Sequence, residues 1–321
     1  MNRIGFLLKY WCPPLWIVKV KLIAFAVFHY LFERYPLADK TNSLSCQPVF
    51  IIGAGRSGTT LLRSMLAAGS QIAIPPESQI IHRLPARFQT WHGLGWTGLV
   101  NLVIAEVESH FDFYLWKTNM APAYIEAINL SRNERSLAKV IDIIFTTYAR
   151  EQFPDARIWG DQSPIHTLFL PNILAVFPNA KFINLIRDGR DVVSSYVKMN
   201  GDIWLNESIY RWKESILRVK KMRKKIKDEN FLDLKYEDLV LDPDTALRKV
   251  SYFIGVDYSN SMLDYWKMDS TVESKIYGHH QNLQKPVFTS SIGAWKTRLS
   301  EEQQKIANNE LSGLLSELGY K

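Results

Sequence analysis

Residues 48–69 constrain this chain more than any other stretch. Pro48-Val-Phe-Ile-Ile is a short β-branched and aromatic run, which predicts a buried strand. Gly53-Ala-Gly-Arg-Ser-Gly-Thr-Thr follows at once, and residues 61–68 carry helical spacing that stops at Gly69. A strand, a glycine-rich turn and a helix together aim backbone N–H groups and a helix N-terminus at an anion. The glycines let the backbone approach a ligand without a Cβ between them. The spacing Gly53-x4-Gly58 is that of a nucleotide-phosphate loop, yet Thr59 stands where an NTPase places its phosphate-binding Lys. The cation sits instead inside the loop, at Arg56, where a guanidinium can grip a phosphate or sulfonate with two parallel hydrogen bonds.

This pattern resembles the 5′-phosphosulfate-binding loop of sulfotransferases, the enzymes that use 3′-phosphoadenosine-5′-phosphosulfate (PAPS). The resemblance implies that Gly55, Arg56, Ser57, Gly58, Thr59 and Thr60 bind the phosphosulfate. Such an enzyme must also hold a 3′-phosphate, and a second segment answers. Residues 181–186 read as another apolar strand, with Arg187 at its carboxyl end and Ser194 and Ser195 about two turns into the next helix. The stretch is similar to the family's 3′-phosphate motif, which implies contacts from Arg187 and Ser195. Three further segments join the resemblance. Ile72-Ala-Ile-Pro-Pro-Glu77 resembles the stretch that supplies a catalytic carboxylate. Trp159-Gly-Asp-Gln-Ser-Pro-Ile-His166 is similar to one that usually reads Trp-Gly-Asp-Lys-Thr-Pro. Lys285-Pro-Val with Ser290-Ser-Ile-Gly-Ala-Trp295 resembles the loop that closes over the nucleotide. The bacterial-type and tyrosylprotein sulfotransferases look nearest.

The chemistry implied is in-line transfer of a sulfuryl group to an acceptor hydroxyl, with Glu77 as general base and His166 as the alternative base. Arg56 and Lys285 are expected to supply charge to the bound nucleotide. Gln162 departs from the family's Lys, so it can donate a hydrogen bond to the transferring group but brings no charge. No metal is expected: no dense Asp/Glu cluster or His pair at ligand spacing appears, and His279 and His280 read as loop residues. Two other readings stay open. One is a membrane-attached nucleotide-binding protein without activity. The other is a nucleotide kinase, which would need a Lys after Gly58 and an acidic magnesium-binding strand end.

Strands expected near 49–52, 72–74, 157–159, 181–186 and 231–235 alternate with helices near 59–68, 136–152, 165–176, 190–199 and 206–228. That alternation predicts an α/β three-layer, P-loop-like fold with a central parallel sheet flanked by helices. Residues 88–130 are aromatic-rich and expected to be less regular, forming part of an acceptor cleft.

The formal charge of +7 is unevenly placed. Residues 1–47 carry a net +4 and residues 213–227 a net +7, so the other 259 residues sit at −4. Such regional basicity argues against a nucleic-acid partner, which needs cations spread over a face. In 213–227, Val219, Met222 and Ile226 recur at helical spacing, and this favours an amphipathic helix with one solvated cationic face over a docking surface. Two cysteines, Cys12 and Cys46, cannot make a disulfide framework. The organisation expected is a basic, apolar N-terminal segment over 1–47 and a catalytic domain over 48–321. A helix from about residue 15, after Pro13 and Pro14, packs on that domain, lies on an anionic membrane beside Trp11, Trp16 and Phe28, or serves as an uncleaved signal anchor, the least favoured of the three. The protein is therefore expected in the cytoplasm, with membrane contact through this segment. The acceptor stays open among a peptide tyrosine, a glycan hydroxyl, a lipid headgroup and a small metabolite, and so does the oligomeric state.

Overall fold

Parallel strands buried on both faces must be apolar throughout, and the strand before the glycine loop meets that demand. In the computed structural model, which describes residues 15–32, 34–268 and 283–321, β1 (Val49–Ile52) is buried along its whole length. The other strands are β2 (Ile72–Ala73), β3 (Ile158–Gln162), β4 (Lys181–Ile186) and β5 (Phe231–Lys235). They form one all-parallel sheet in the order β2-β3-β1-β4-β5. Val49 lies opposite Gly160 on one side and Lys181 on the other. The chain moves from β1 toward β2 and β3, then returns to lay β4 on the opposite flank. That reversal puts a crevice at the carboxyl edge beside β1, where ligands of open α/β sheets bind.

Side chains alternate across the pleat, so successive residues of β1 enter different layers. Phe50 and Ile52 face a cluster with Trp159, Phe177 and Phe182. Val49 and Ile51 face Leu62, Met65 and Leu66 of the helix Thr59–Ala67, with Leu247 and Val250 behind them. A third cluster forms where Val192 and Val193 of the helix Gly189–Asn200 meet Trp212 and Leu311. The three-layer α/β architecture expected from the alternation of elements is present.

Several elements differ from expectation. Residues 88–130 are helical rather than irregular, in Leu84–Thr90, Gly95–Glu108 and Ala121–Ile128. Trp96, Leu99, Val100, Val103 and Val107 follow one helical stripe into the core, so this region fills the protein and lines no part of the cavity described below. The expected helix over 165–176 divides into a 3-10 turn, Pro164–Phe169, and an α-helix, Leu170–Val176. The long basic helix is Leu205–Arg223, shorter than expected at its carboxyl end. Residues 34–47, assigned by sequence to the N-terminal segment, lie against the catalytic core. Leu137 and Ala138 N–H groups donate to Pro36 and Leu37 carbonyls at 3.0 and 2.8 Å, and Ser45 N–H donates to the buried Asp142 at 2.9 Å. The N-terminal helix is Leu15–Phe32. Trp11, Cys12, Pro13, Pro14, His279 and His280 lie outside the described residues.

Candidate active site

The glycine loop leaves β1 at the sheet's carboxyl edge and turns through backbone conformations that few residues tolerate. Gly53, Arg56 and Gly58 have φ of 147°, 68° and 93°. A Cβ on Gly58 would stand 2.5 Å from the Tyr236 ring, so glycine is needed there for space as well as for φ. Arg56 is not glycine and still adopts the left-handed region, a strain that packing must hold in place. The Ser57 amide donates to the Ala54 carbonyl at 3.1 Å and closes the turn. The amides of Thr59 and Thr60, in the first turn of the helix Thr59–Ala67, have no partner within that helix and are left to meet an anion.

β4 lies beside β1, so Arg187, one residue past β4, arrives next to this loop. Its Nη1 donates to the Arg56 carbonyl and its Nη2 to the Ser291 carbonyl, both at 2.8 Å. Its guanidinium stacks on Tyr236, 4.3 Å from the ring centroid. One helical turn and more away, Ser195 accepts a hydrogen bond from Arg56 Nε at 3.3 Å. The two segments that sequence pointed to separately, 139 residues apart, are therefore joined side chain to side chain. Burial lowers the Arg56 pKa, Tyr196 and Glu77 oppose that, and the neighbouring Arg187 reinforces it. Among the described residues neither Arg56 nor Arg187 is ion-paired with a carboxylate. Two guanidinium groups held this close, one of them 6% exposed and neither paired with a carboxylate among the described residues, suit an anion.

Glu77 reaches the same cavity from the turn after β2. The Pro75-Pro76 turn is held by Trp116 Nε1, which donates to the Pro76 carbonyl at 3.1 Å. Two amides hold the carboxylate. Gln79 Nε2 donates to Oε2 at 3.0 Å and Gln162 Nε2 to Oε1 at 3.3 Å. Gln162 Nε2 also donates to Thr59 Oγ1 at 3.0 Å, tying the carboxylate to the first residue of the phosphate-loop helix. Gln162 is fully buried, at the end of β3 next to β1.

The cavity itself has a volume of about 460 Å³. Arg56, Thr59, Thr60, Glu77, Arg187 and Ser195 line it together. Its apolar walls come from Leu61, Tyr265, Val287 and Phe288, and from Ile165, Leu168 and Met199. Cationic and aromatic groups beside apolar walls suit a phosphorylated nucleotide and an organic acceptor better than either alone.

Two expected site residues are placed elsewhere. His166 is 1% exposed, and its Nδ1 lies 2.8 Å from Asp161 Oδ2. In the 3-10 turn, residues three apart share a face, so Ile165 and Leu168 meet the cavity and His166 turns inward. His166 is thus not positioned to take a proton from a hydroxyl in the cavity. The Lys285 side chain is exposed and does not line the cavity, and the fold uses its carbonyl, which accepts from Tyr265 Oη at 2.8 Å. The loop over the cavity is fixed by Asp191, whose carboxylate accepts from Gly293 N–H at 2.8 Å and Trp295 N–H at 2.9 Å. Asp191 was missed from sequence although it is the second acid of the Arg-Asp-Gly-Arg-Asp run. Tyr196, Tyr236, Gln79 and Arg211 were missed as well; Gln79, two residues after Glu77, and Tyr196, next to Ser195, carried a local signal. Among the described residues no group of three or more His, Cys, Asp or Glu side chains could hold a metal ion.

The Sulfotransferase family model matches residues 48–260 of this chain. The chain is 25% identical over 283 residues to protein-tyrosine sulfotransferase 2 of Gallus gallus, covering 85% of this chain and 69% of that protein. It is 23% identical over 282 residues to the protein-tyrosine sulfotransferase of Drosophila melanogaster, covering 85% of this chain but only about half, 51%, of that protein's length. Among solved structures it is similar to the sulfotransferase domain of the Synechococcus PCC 7002 olefin synthase, with a TM-score of 0.60 and 20% identity over 86% of this chain and 98% of that one. The sulfotransferase domain of the curacin biosynthetic pathway gives a TM-score of 0.59 and 23% identity, covering 85% and 98%. These two likenesses concern the fold.

Proposed function

Because the chain belongs to the sulfotransferase family, we propose that it moves a sulfuryl group from PAPS to the hydroxyl of an acceptor held in the cavity beside β1. One observation carries this reading. Arg56 and Ser195 meet at 3.3 Å beside Arg187, so one cavity offers donors to both anionic ends of a bisphosphorylated nucleotide. The donor set fits such a group: Arg187, which lines the cavity, has Nε buried without a hydrogen-bond partner among the described residues, and the first amides of the helix Thr59–Ala67 have no partner within that helix.

When bound, PAPS supplies an electrophilic sulfuryl group and a stable bisphosphate leaving group. Arg56, Thr59, Thr60 and their amides hold the 5′ end and answer the charge that builds on it. Arg187 and Ser195 hold the 3′-phosphate. Glu77 accepts the acceptor's proton, since a hydroxyl is a poor nucleophile until its proton is taken. Gln79 and Gln162 fix one carboxylate oxygen each, so Glu77 faces the acceptor in one orientation. Gln162 stands where the family pattern has Lys and supplies no charge, so Arg56 carries more of the cationic role.

The kinase alternative finds no cation after Gly58, where Thr59 stands. A binding protein without turnover is separated by experiment. Purified protein with PAPS should release 3′-phosphoadenosine-5′-phosphate only when a competent acceptor is present. Peptide tyrosine is the first acceptor to try, given the names of the curated relatives. An extract of the protein's own cells with labelled PAPS is the wider screen. Tight nucleotide binding with no labelled product in that screen would leave the binding-protein reading standing, and a preference for ATP over nucleotides bearing a 3′-phosphate would overturn the proposal.

A further inference from the structure

Between Val20 and Phe28 the helix Leu15–Phe32 exposes six large apolar side chains, Val20, Leu22, Ile23, Phe25, Val27 and Phe28, each between 47% and 64%. Val20, Ile23 and Val27 share one helical face, and Leu22 and Phe25 lie on another. The apolar surface therefore turns around the helix and does not form a single stripe that the body could cover. Apart from Lys19 and Lys21 the residues from Leu15 to Phe28 are apolar, and apolar surface left outside a protein core suits lipid. The patch continues onto the body, because the helix packs against the turn His92–Leu94, where Trp91 and Leu94 are themselves 52% and 38% exposed. Water-facing apolar area of this extent marks an interaction site.

The charges identify what covers it. Residues 15–32 contain no Asp or Glu, while Lys19 and Lys21 are exposed near the helix start. A second copy of the same helix would offer apolar surface but no carboxylate to answer those two lysines. An anionic leaflet offers both. We propose that this helix docks the protein on an anionic bilayer, with its apolar side chains in the acyl boundary and Lys19 and Lys21 reaching back to the headgroups. The uninterrupted apolar run from Leu22 to Phe28 is about 10 Å long at 1.5 Å per residue, against a hydrocarbon core of about 30 Å. Among the described residues no helix is long and apolar enough to cross a membrane. The geometry points to a helix lying within one leaflet.

The test uses the full chain in co-sedimentation with vesicles of phosphatidylcholine alone, or of phosphatidylcholine with phosphatidylglycerol. Binding is expected to the anionic vesicles, weakening as salt rises. Lys19→Glu with Lys21→Glu should weaken it at least about thirtyfold, on the usual contribution of a surface lysine near anionic lipid. Ile23→Glu with Val27→Glu should abolish binding to the anionic vesicles. Both double variants should keep the parent's thermal midpoint and its affinity for 3′-phosphoadenosine-5′-phosphate, since neither pair touches the cavity. Three results would overturn the proposal: no binding to anionic vesicles at low salt, equal binding by the parent and both variants, or a dimer in light scattering that Ile23→Glu with Val27→Glu dissolves in a protein that ignores vesicles.

Discussion

Replacing Glu77 by Gln keeps the shape of the side chain and removes its charge, so the variant separates proton transfer from binding. In the parent, the carboxylate accepts from Gln79 at 3.0 Å and from Gln162 at 3.3 Å. A Gln at 77 has one oxygen and one NH2 group, so one of those contacts would become donor against donor, a cost of about 1–3 kcal/mol if nothing moved. The surroundings can adjust. Gln162 Oε1 is buried without a hydrogen-bond partner among the described residues, and a flip of its amide lets that oxygen accept from the new NH2 and from Thr59 Oγ1. The thermal midpoint should therefore fall by no more than about 2 °C. Affinity for 3′-phosphoadenosine-5′-phosphate, measured by calorimetry, should stay level or rise slightly, because Glu77 is a negative charge close enough to act on Arg56. Turnover should fall about 10²- to 10⁴-fold, the usual contribution of a general base, equivalent to about 3–5 kcal/mol of barrier. Single-turnover transfer of labelled sulfuryl group to hydroxyl acceptors measures it. Turnover within fivefold of the parent would remove Glu77 from the chemistry. A loss of turnover matched by an equal loss of bisphosphate affinity would place Glu77 in binding instead.

Arg187→Ala and Ser195→Ala should each collapse the preference for 3′-phosphoadenosine-5′-phosphate over adenosine 5′-phosphate. For Arg187 the loss should be about a hundredfold, at roughly 1.5–3 kcal/mol for a hydrogen bond to a charged group, and an unchanged ratio in calorimetry would free Arg187 from the 3′-phosphate. Gly55→Ala would place a Cβ 2.2 Å from Tyr196 Oη and 3.4 Å from its Cζ. It should weaken nucleotide binding, while Gly55→Ala with Tyr196→Phe should recover most of it, a coupling above about 1 kcal/mol in a double-mutant cycle. Burial, reinforced by His166 and Arg83, pushes the His82 pKa down to about 4. The unfolded chain therefore binds the extra proton first, and stability is lost as pH falls from about 6.5 toward 4. His82→Phe keeps the stacking on Phe169, 4.7 Å away, and should narrow the stability gap between pH 7 and pH 5 by about 1 kcal/mol once the partial exposure of His82 is discounted. Equal gaps in thermal melts of the two proteins would refute that assignment.

What could be read from sequence was local. β1 is legible because a parallel strand buried on both faces must be apolar throughout, and the loop because glycine is required where φ turns positive at Gly53 and Gly58. Arg187 and Ser195 were legible because a strand end and the next helix fix their spacing. Orientation was not. His166 reads as a cavity residue if the segment after Pro164 is α-helical, and the 3-10 turn rotates it into the core onto Asp161. Residues 88–130 misled in the opposite way. Their aromatic richness read as irregular, yet Trp96, Leu99, Val100, Val103 and Val107 already carried a helical stripe, and tertiary packing outweighs the cost of Gly95 and Gly98 within that helix. Tyr236 had no sequence signal, because what places it is its approach to Gly58, in a loop well over a hundred residues away.

Charge shows the same division between composition and position. The helix Leu205–Arg223 holds much of the basic stretch 213–227, but its cations are largely answered within the molecule. Lys213 pairs with Glu310 at 3.0 Å, Arg218 with Glu214 at 3.1 Å, and Lys220 with Glu317, while Val219 and Met222 are buried beneath. Two of those acids belong to the helix Glu301–Glu317, so much of this surplus of charge joins one helix to another. Exposed pairs of this kind contribute little stability each and leave little net field to draw an anion. Arg56 and Arg187 are the reverse case. They are few, enclosed, and held by a carbonyl, a hydroxyl and an aromatic face, with no carboxylate paired to either among the described residues. Enclosing a guanidinium without a paired carboxylate costs free energy, and on the proposed reading a bound phosphate would offset that cost. Two such cations at the edge of β1 and β4 therefore say more about what the protein binds than the seven charges of its net balance.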